Sequence, residues 1–121
     1  MGFMFEKLVV YQRAVGFGEK ILTLAEGLPR GQNALADQLK RAAVSISLNI
    51  AEGNGRWHIK ERRNFFLIAR GSVFECVPLL EFCCRMKWIE GESHDHLKAE
   101  LEEMSKMLSG LIKGIDEKRN T

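Results

Sequence analysis

The feature that most limits what this chain can fold into is the spacing of its apolar residues, which recur at intervals of three and four on two sides of one segment. Leu8, Tyr11, Val15, Leu22 and Ala25 form one stripe; Val10, Ala14, Phe17, Ile21, Leu24 and Leu28 form a second. Such spacing is helical, because a strand would alternate every second residue. No alternating β-branched run occurs, and only two prolines punctuate the 121 residues. The chain reads as all-α, a single domain long enough to bury a core of its own.

The breaks between helices follow from local chemistry. Pro29 is placed to stop the first helix, and Gly31, Gln32 and Asn33 to make the turn, with Asn33 as N-cap. Gly16 and Gly18 weaken the first helix and mark a close helix approach. The second helix, about 34 to 52, carries Leu35, Leu39, Ala42, Ala43, Ile46 and Ile50 on one face and Val44, Leu48 and Ala51 on another. A third helix runs from about 58 to 88. Its core face is Phe65, Phe66, Ala69, Val73, Cys76, Val77, Leu80 and Cys84; Ile68, Leu79, Phe82 and Met86 form its second face. Pro78 either kinks this helix or begins a separate one. Gly91 to Ser93 make the next break, and Leu97, Leu101, Met104, Leu108, Leu111 and Ile115 then form a heptad seam in the fourth helix.

Short loops between four helices predict an antiparallel up-down-up-down bundle. A lone bundle buries one face per helix, yet three of these helices have two. The surplus predicts a homo-oligomer held by the first three helices, with the fourth the most exposed.

Between the two faces of the second helix lies a polar strip containing Arg41, Ser45, Asn49 and Glu52, and Ser72 and Glu75 lie beside the second face of the third helix. These six residues are expected to form a buried network that fixes register. An enzyme could use Glu52 and Glu75 as paired carboxylates. No nucleophile with an adjacent base accompanies them, so no enzymatic activity is expected. The loop Gly53-Asn54-Gly55-Arg56 lacks the preceding strand, spacing and lysine of a phosphate-binding P-loop. It reads as a helix C-cap, with Gly53 or Gly55 left-handed.

The run RWHIKERR, 56 to 63, is where functional chemistry concentrates. Arg56, Lys60, Arg62 and Arg63, with His58 and Trp57, stand against the single acid Glu61. They occupy a helix start, whose dipole already favours anions. Phosphates there would meet amides and guanidinium groups together, and Trp57 could stack on an unpaired base. The alternative is a charge run neutralised by acids of the fourth helix or of a neighbouring subunit. Arg13, Arg41 and Arg70 are weaker phosphate candidates. Charge is uneven: residues 1 to 90 hold 13 Lys and Arg against 9 Asp and Glu, and the remainder holds 5 against 7.

Other chemistry is thin. Cys76, Cys83 and Cys84 lack a CxxC spacing and are expected to be reduced and buried. His94 and His96, two residues apart, point to different sides of a helix, so no metal and no cofactor is expected. The N-terminal MGFMFEK has no basic region ahead of an apolar one, and position 6 is Glu6 where myristoylation wants Ser or Thr. The apolar runs are too short and too charged to span a bilayer. A cytoplasmic protein with no membrane association is expected.

Three runs carry a further indication: QLKRAAVSISLNIAEGNGR (38 to 56), FEKLVVYQRA (5 to 14) and FFLIARGSVFE (65 to 75). They resemble the small four-helix-bundle proteins encoded in intervening sequences of bacterial 23S ribosomal RNA genes. Pro78 and the glycine pair of the first helix depart from the family's pattern. The resemblance implies an antiparallel bundle assembled as a homo-oligomer, a pentameric barrel. The chain is also similar to the accessory proteins of diversity-generating retroelements, basic pentamers that bind nucleic acid and a reverse transcriptase. The expectation is a non-enzymatic oligomeric bundle that binds RNA or DNA through Arg56, Trp57, Lys60, Arg62 and Arg63. A protein-interaction scaffold that binds no nucleic acid is the rival.

Overall fold

A computed structural model describes residues 2 to 119. After a 3-10 turn at Met4–Lys7 come four helices, α1 (Val9–Glu26), α2 (Asn33–Asn54), α3 (Ile59–Arg85) and α4 (Gly91–Arg119), with no strand among the described residues. No helix among these residues is long and apolar enough to cross a membrane.

Side-chain contacts fix the helix directions. Arg63 meets Asp116 and Arg70 meets Ser109, so α3 and α4 run antiparallel. Arg13 meets Glu103 and Lys20 meets Glu100, which sets α1 against α4 in the same sense. Gly53 lies against Phe66 while Ser45 bonds to Ser72, so α2 opposes α3. It follows that α1 and α2 are antiparallel as well. The chain goes up, down, up and down around one core, with α2 and α3 packed most extensively and α1 and α4 least.

The second α1 stripe is the one that faces inward: Val10, Ala14, Phe17 and Ile21 are buried. Val15 and Leu22 of the first stripe are exposed. From α2 the core takes Leu39, Ala42, Ala43, Ile46 and Ile50; from α3 it takes Phe66, Ala69, Val73, Cys76, Leu80 and also Leu79 and Cys83. In α4 the buried seam is Leu97, Leu101, Met104, Leu108 and Ile112, not the heptad continuation through Leu111 and Ile115, which are only partly buried. A straight helix of 3.6 residues per turn drifts by about 20° per heptad, so one face cannot follow a strict repeat of seven.

Several expected breaks move. α1 ends at Glu26 with Gly27 as C-cap, before Pro29 is reached. Asn33 is the first helical residue of α2 and Gln32 the N-cap, without a side-chain bond. Gly91 opens α4 instead of separating it from α3. The reversal is made at Lys87, whose φ of 63° is the one positive value among described non-glycine residues. Pro78 lies inside a continuous α3, which ends at Arg85.

The glycines redistribute too. Gly53 and Asn54 belong to α2, and the C-cap Gly55 is right-handed at φ −80°, so neither glycine is left-handed. Gly53 is needed for a different reason: a Cβ there would stand 2.9 Å from Phe66 Cε1 and 3.0 Å from Phe65 Cβ. The close helix approach is therefore at Gly53, because a Cβ at Gly16 or Gly18 would meet nothing within 4 Å.

Candidate nucleic-acid interface

The loop after α2 delivers the basic run to one end of the bundle. α3 begins after the N-cap His58, which is extended and makes no side-chain cap. Its first inward amide is that of Arg62, donating to the His58 carbonyl at 3.0 Å. The amides of Ile59, Lys60 and Glu61 precede it and have no intrahelical acceptor, so they concentrate positive potential.

Trp57 stands at this end with 92% of its surface exposed. It lines an open depression of about 640 Å³ with His58, Ile59, Lys60, Glu61 and Arg119. Lys60 is exposed and has no ion pair among the described residues. Arg119 comes from the last turn of α4, brought here by the antiparallel packing. In the sequence it closes the run Asp116-Glu117-Lys118-Arg119, whose two acids and two bases cancel; the signal was a basic last turn on the helix that must end beside the start of α3.

The arginines of the run differ in what they touch. Arg56 donates from Nη2 to Glu52 Oε2 at 2.8 Å, and its guanidinium carbon lies 4.9 Å from the Phe65 ring centre. Charge and ring both hold it near the end of α2. Arg63 donates from Nε to Asp116 Oδ1 at 2.7 Å and from Nη2 to Oδ2 at 3.1 Å. That fork is the neutralisation by a fourth-helix acid considered from the sequence. The hydrogen bond from Arg63, aided by the charges of Arg63 and Arg119 against partial desolvation, holds Asp116 below the usual carboxylate range. The same bond and charge raise Arg63. Arg62 turns inward, with its Nε buried and unbonded among the described residues. Of the weaker candidates, Arg13 pairs with Glu103, Arg70 donates to Ser109, and Arg41 is exposed.

The polar strip contracts to three residues. Ser72 Oγ bonds to Ser45 Oγ at 2.9 Å, and Asn49 Nδ2 reaches the Ser45 carbonyl at 2.8 Å and Ser45 Oγ at 2.9 Å. This chain links α2 to α3 where Ser72 is buried. Arg41, Glu52 and Glu75 are exposed and outside it, since Glu52 is turned to Arg56. Helical phase put the six on neighbouring strips; reach and burial separate them.

Elsewhere, Cys76 and Cys83 are buried and Cys84 is half-buried, all as free thiols. Among the described residues no three of His, Cys, Asp or Glu gather around a common point that could hold a metal ion.

Comparison with known proteins places this geometry in context. The model of the 23S rRNA-intervening sequence protein family matches residues 6–110. The fold is similar to the crystal structure of a protein with unknown function from the S23 ribosomal protein family of Bacteroides thetaiotaomicron VPI-5482. The TM-score is 0.81 at 26% identity, over 87% of this chain and 99% of that one. Among curated proteins none matches.

Proposed function

The chain belongs to the 23S rRNA-intervening sequence protein family, and from that premise we propose that it is a non-enzymatic, homo-oligomeric bundle that binds single-stranded nucleic acid, RNA foremost, at the start of α3. The observation that carries this reading is Trp57, almost fully exposed beside three uncapped amides, Lys60 and Arg119. An indole left in water forgoes the burial that favours folding, about 1.5–3 kcal/mol for a large apolar side chain. A base stacked on it would recover part of that, at about 1–3 kcal/mol per base, while amides and cations take the flanking phosphates.

Arg56 and Arg63 contribute less, because each already spends its charge on an acid of the same chain. Lys60 and Arg119, which line the Trp57 depression, are the phosphate contacts of first rank, and Arg62, turned inward, is not among them.

The homo-oligomer is supported by large apolar side chains left outside the core. Phe82 is 60% exposed and Met86 57%, and Ile68 and Leu48 are exposed as well. Ile68, Phe82 and Met86 share the second face of α3, as a helical period of 3.6 requires. Covering this face with further copies would repeat the Trp57 patch around the assembly, and repetition multiplies weak contacts.

The test is fluorescence anisotropy with a labelled single-stranded RNA across a salt series, comparing wild type with Lys60→Ala/Arg119→Ala. Each phosphate contact removed should flatten the slope of log K against log salt by about 0.7. A variant that binds like wild type at every salt concentration would overturn the assignment.

A further inference from the structure

Glu61 is the one acid among the residues that line the Trp57 depression. It stands third in α3 after the N-cap His58, where a glutamate commonly reaches back to accept the N-cap amide. Glu6 does this elsewhere in the chain, taking the Phe3 N–H at 2.7 Å. Glu61 does not: it is exposed, and no hydrogen bond or ion pair engages its side chain among the described residues. Lys60 does not neutralise it, because consecutive helical residues do not face each other. The helix dipole accounts for an acid at this end. It does not account for a carboxylate left unengaged beside an exposed indole, in a depression whose amides and cations suit phosphate.

We propose that Glu61 selects guanine as the base that stacks on Trp57, an inference that rests on the single-strand reading of this site. An ionised carboxylate only accepts, and it offers two oxygens side by side. Unpaired bases are read on their Watson–Crick edges. Guanine alone presents two adjacent donors there, N1–H and N2–H, and so meets both oxygens with charge-assisted bonds. Adenine and cytosine present an amino donor beside a ring-nitrogen acceptor, and uracil one donor between two carbonyls. Each of these three sets a lone pair against the carboxylate, which makes the acid a means of rejection as well as of choice. The depression, about 640 Å³, is large enough for a purine. Trp57 takes a base by its face whatever its identity, Glu61 takes one kind by its edge, and Lys60 and Arg119 are left for the flanking phosphates.

Fluorescence anisotropy at low salt tests this with labelled oligouridines that differ at one central base, which is guanine, inosine, adenine, cytosine or uracil, against wild type and Glu61→Gln. Inosine keeps the purine ring and N1–H of guanine and lacks the N2 amino group. Wild type should bind the guanine oligomer about tenfold or more tighter than the adenine, cytosine and uracil ones, with inosine between, since a good bidentate contact to a base discriminates by about that factor. Gln has one acceptor where Glu has two and suits the same helix position, so its guanine-to-inosine affinity ratio should fall towards one. Loss of the negative charge should raise affinity for every oligomer alike, and a carboxylate that serves only the helix start would leave the ratio unchanged. Equal binding of the guanine and inosine oligomers by wild type, or a guanine preference that Glu61→Gln retains, would overturn the guanine assignment while RNA binding stands. No binding of any oligomer by wild type would remove the RNA reading and this inference with it.

Discussion

Arg63 grips Asp116 with two hydrogen bonds, 2.7 and 3.1 Å long, and so joins the start of α3 to the end of α4. This pair turns one of the phosphate candidates of the basic run into a fastening of the bundle end on which Trp57, Lys60 and Arg119 converge. Asp116→Asn should lower the urea midpoint at neutral pH, because Arg63 would lose its charged partner. The folded-state carboxyl of Asp116 lies below its unfolded value, so its stabilisation is complete above an unfolded pKa of about 3.9 and is lost as pH falls through the folded one. Urea midpoints of the two proteins should therefore differ by a constant amount from about pH 5 upward and converge on acidification below about pH 4.

Gly53→Ala and Gly18→Ala should have opposite effects. Both replace a helical glycine, which alone favours alanine by about 1 kcal/mol. At Gly53 the new methyl would press on Phe66, which is fully buried and cannot yield, and on Phe65 close to its backbone. Overpacking of this kind costs about 1–3 kcal/mol, so the net result should be destabilising. At Gly18 nothing lies within 4 Å of the new Cβ. Chemical denaturation of the two variants checks the contrast.

Thiol labelling should distinguish the cysteines by burial. Desolvation, and secondarily the charge of Glu75, pushes the Cys76 thiol up to about 12. Desolvation raises Cys83 as well, and Cys84 is only half-buried. Since the thiolate is the reacting species, a maleimide at neutral pH should label Cys84 first and Cys76 only on unfolding. Mass mapping of labelled peptides over time reads the order.

Phe82→Glu together with Met86→Glu should dissociate the proposed assembly while leaving the bundle folded, because both side chains lie outside the core. Light scattering should give the mass of one chain for the variant and a multiple of it for wild type. A wild type of single-chain mass would contradict the oligomer.

Much of the fold was legible because helical spacing is a long-range pattern that local exceptions do not erase. Ile46, Val73 and Leu101 declare themselves by phase alone, and all three are buried. Periodicity could not say which of two stripes on α1 faces inward, since that depends on the neighbours each one finds. Turn chemistry misled at Gly53, where the requirement for glycine comes from a phenylalanine pair across the helix interface and not from backbone conformation. The candidate site was legible where residues are neighbours in sequence, as at Trp57 and Lys60. It was hidden where helix ends meet in space: neither the Arg63 and Asp116 fork nor the placement of Arg119 has a local signature.

The most direct measurement is the emission of Trp57 in a Trp88→Phe background during titration with single-stranded RNA at low salt, anisotropy recording binding in the same cuvette. Stacking on a base should quench and shift Trp57 emission in step with binding, and added salt should reverse both. RNA that binds while Trp57 emission stays constant, or RNA that does not bind at all, would contradict the account.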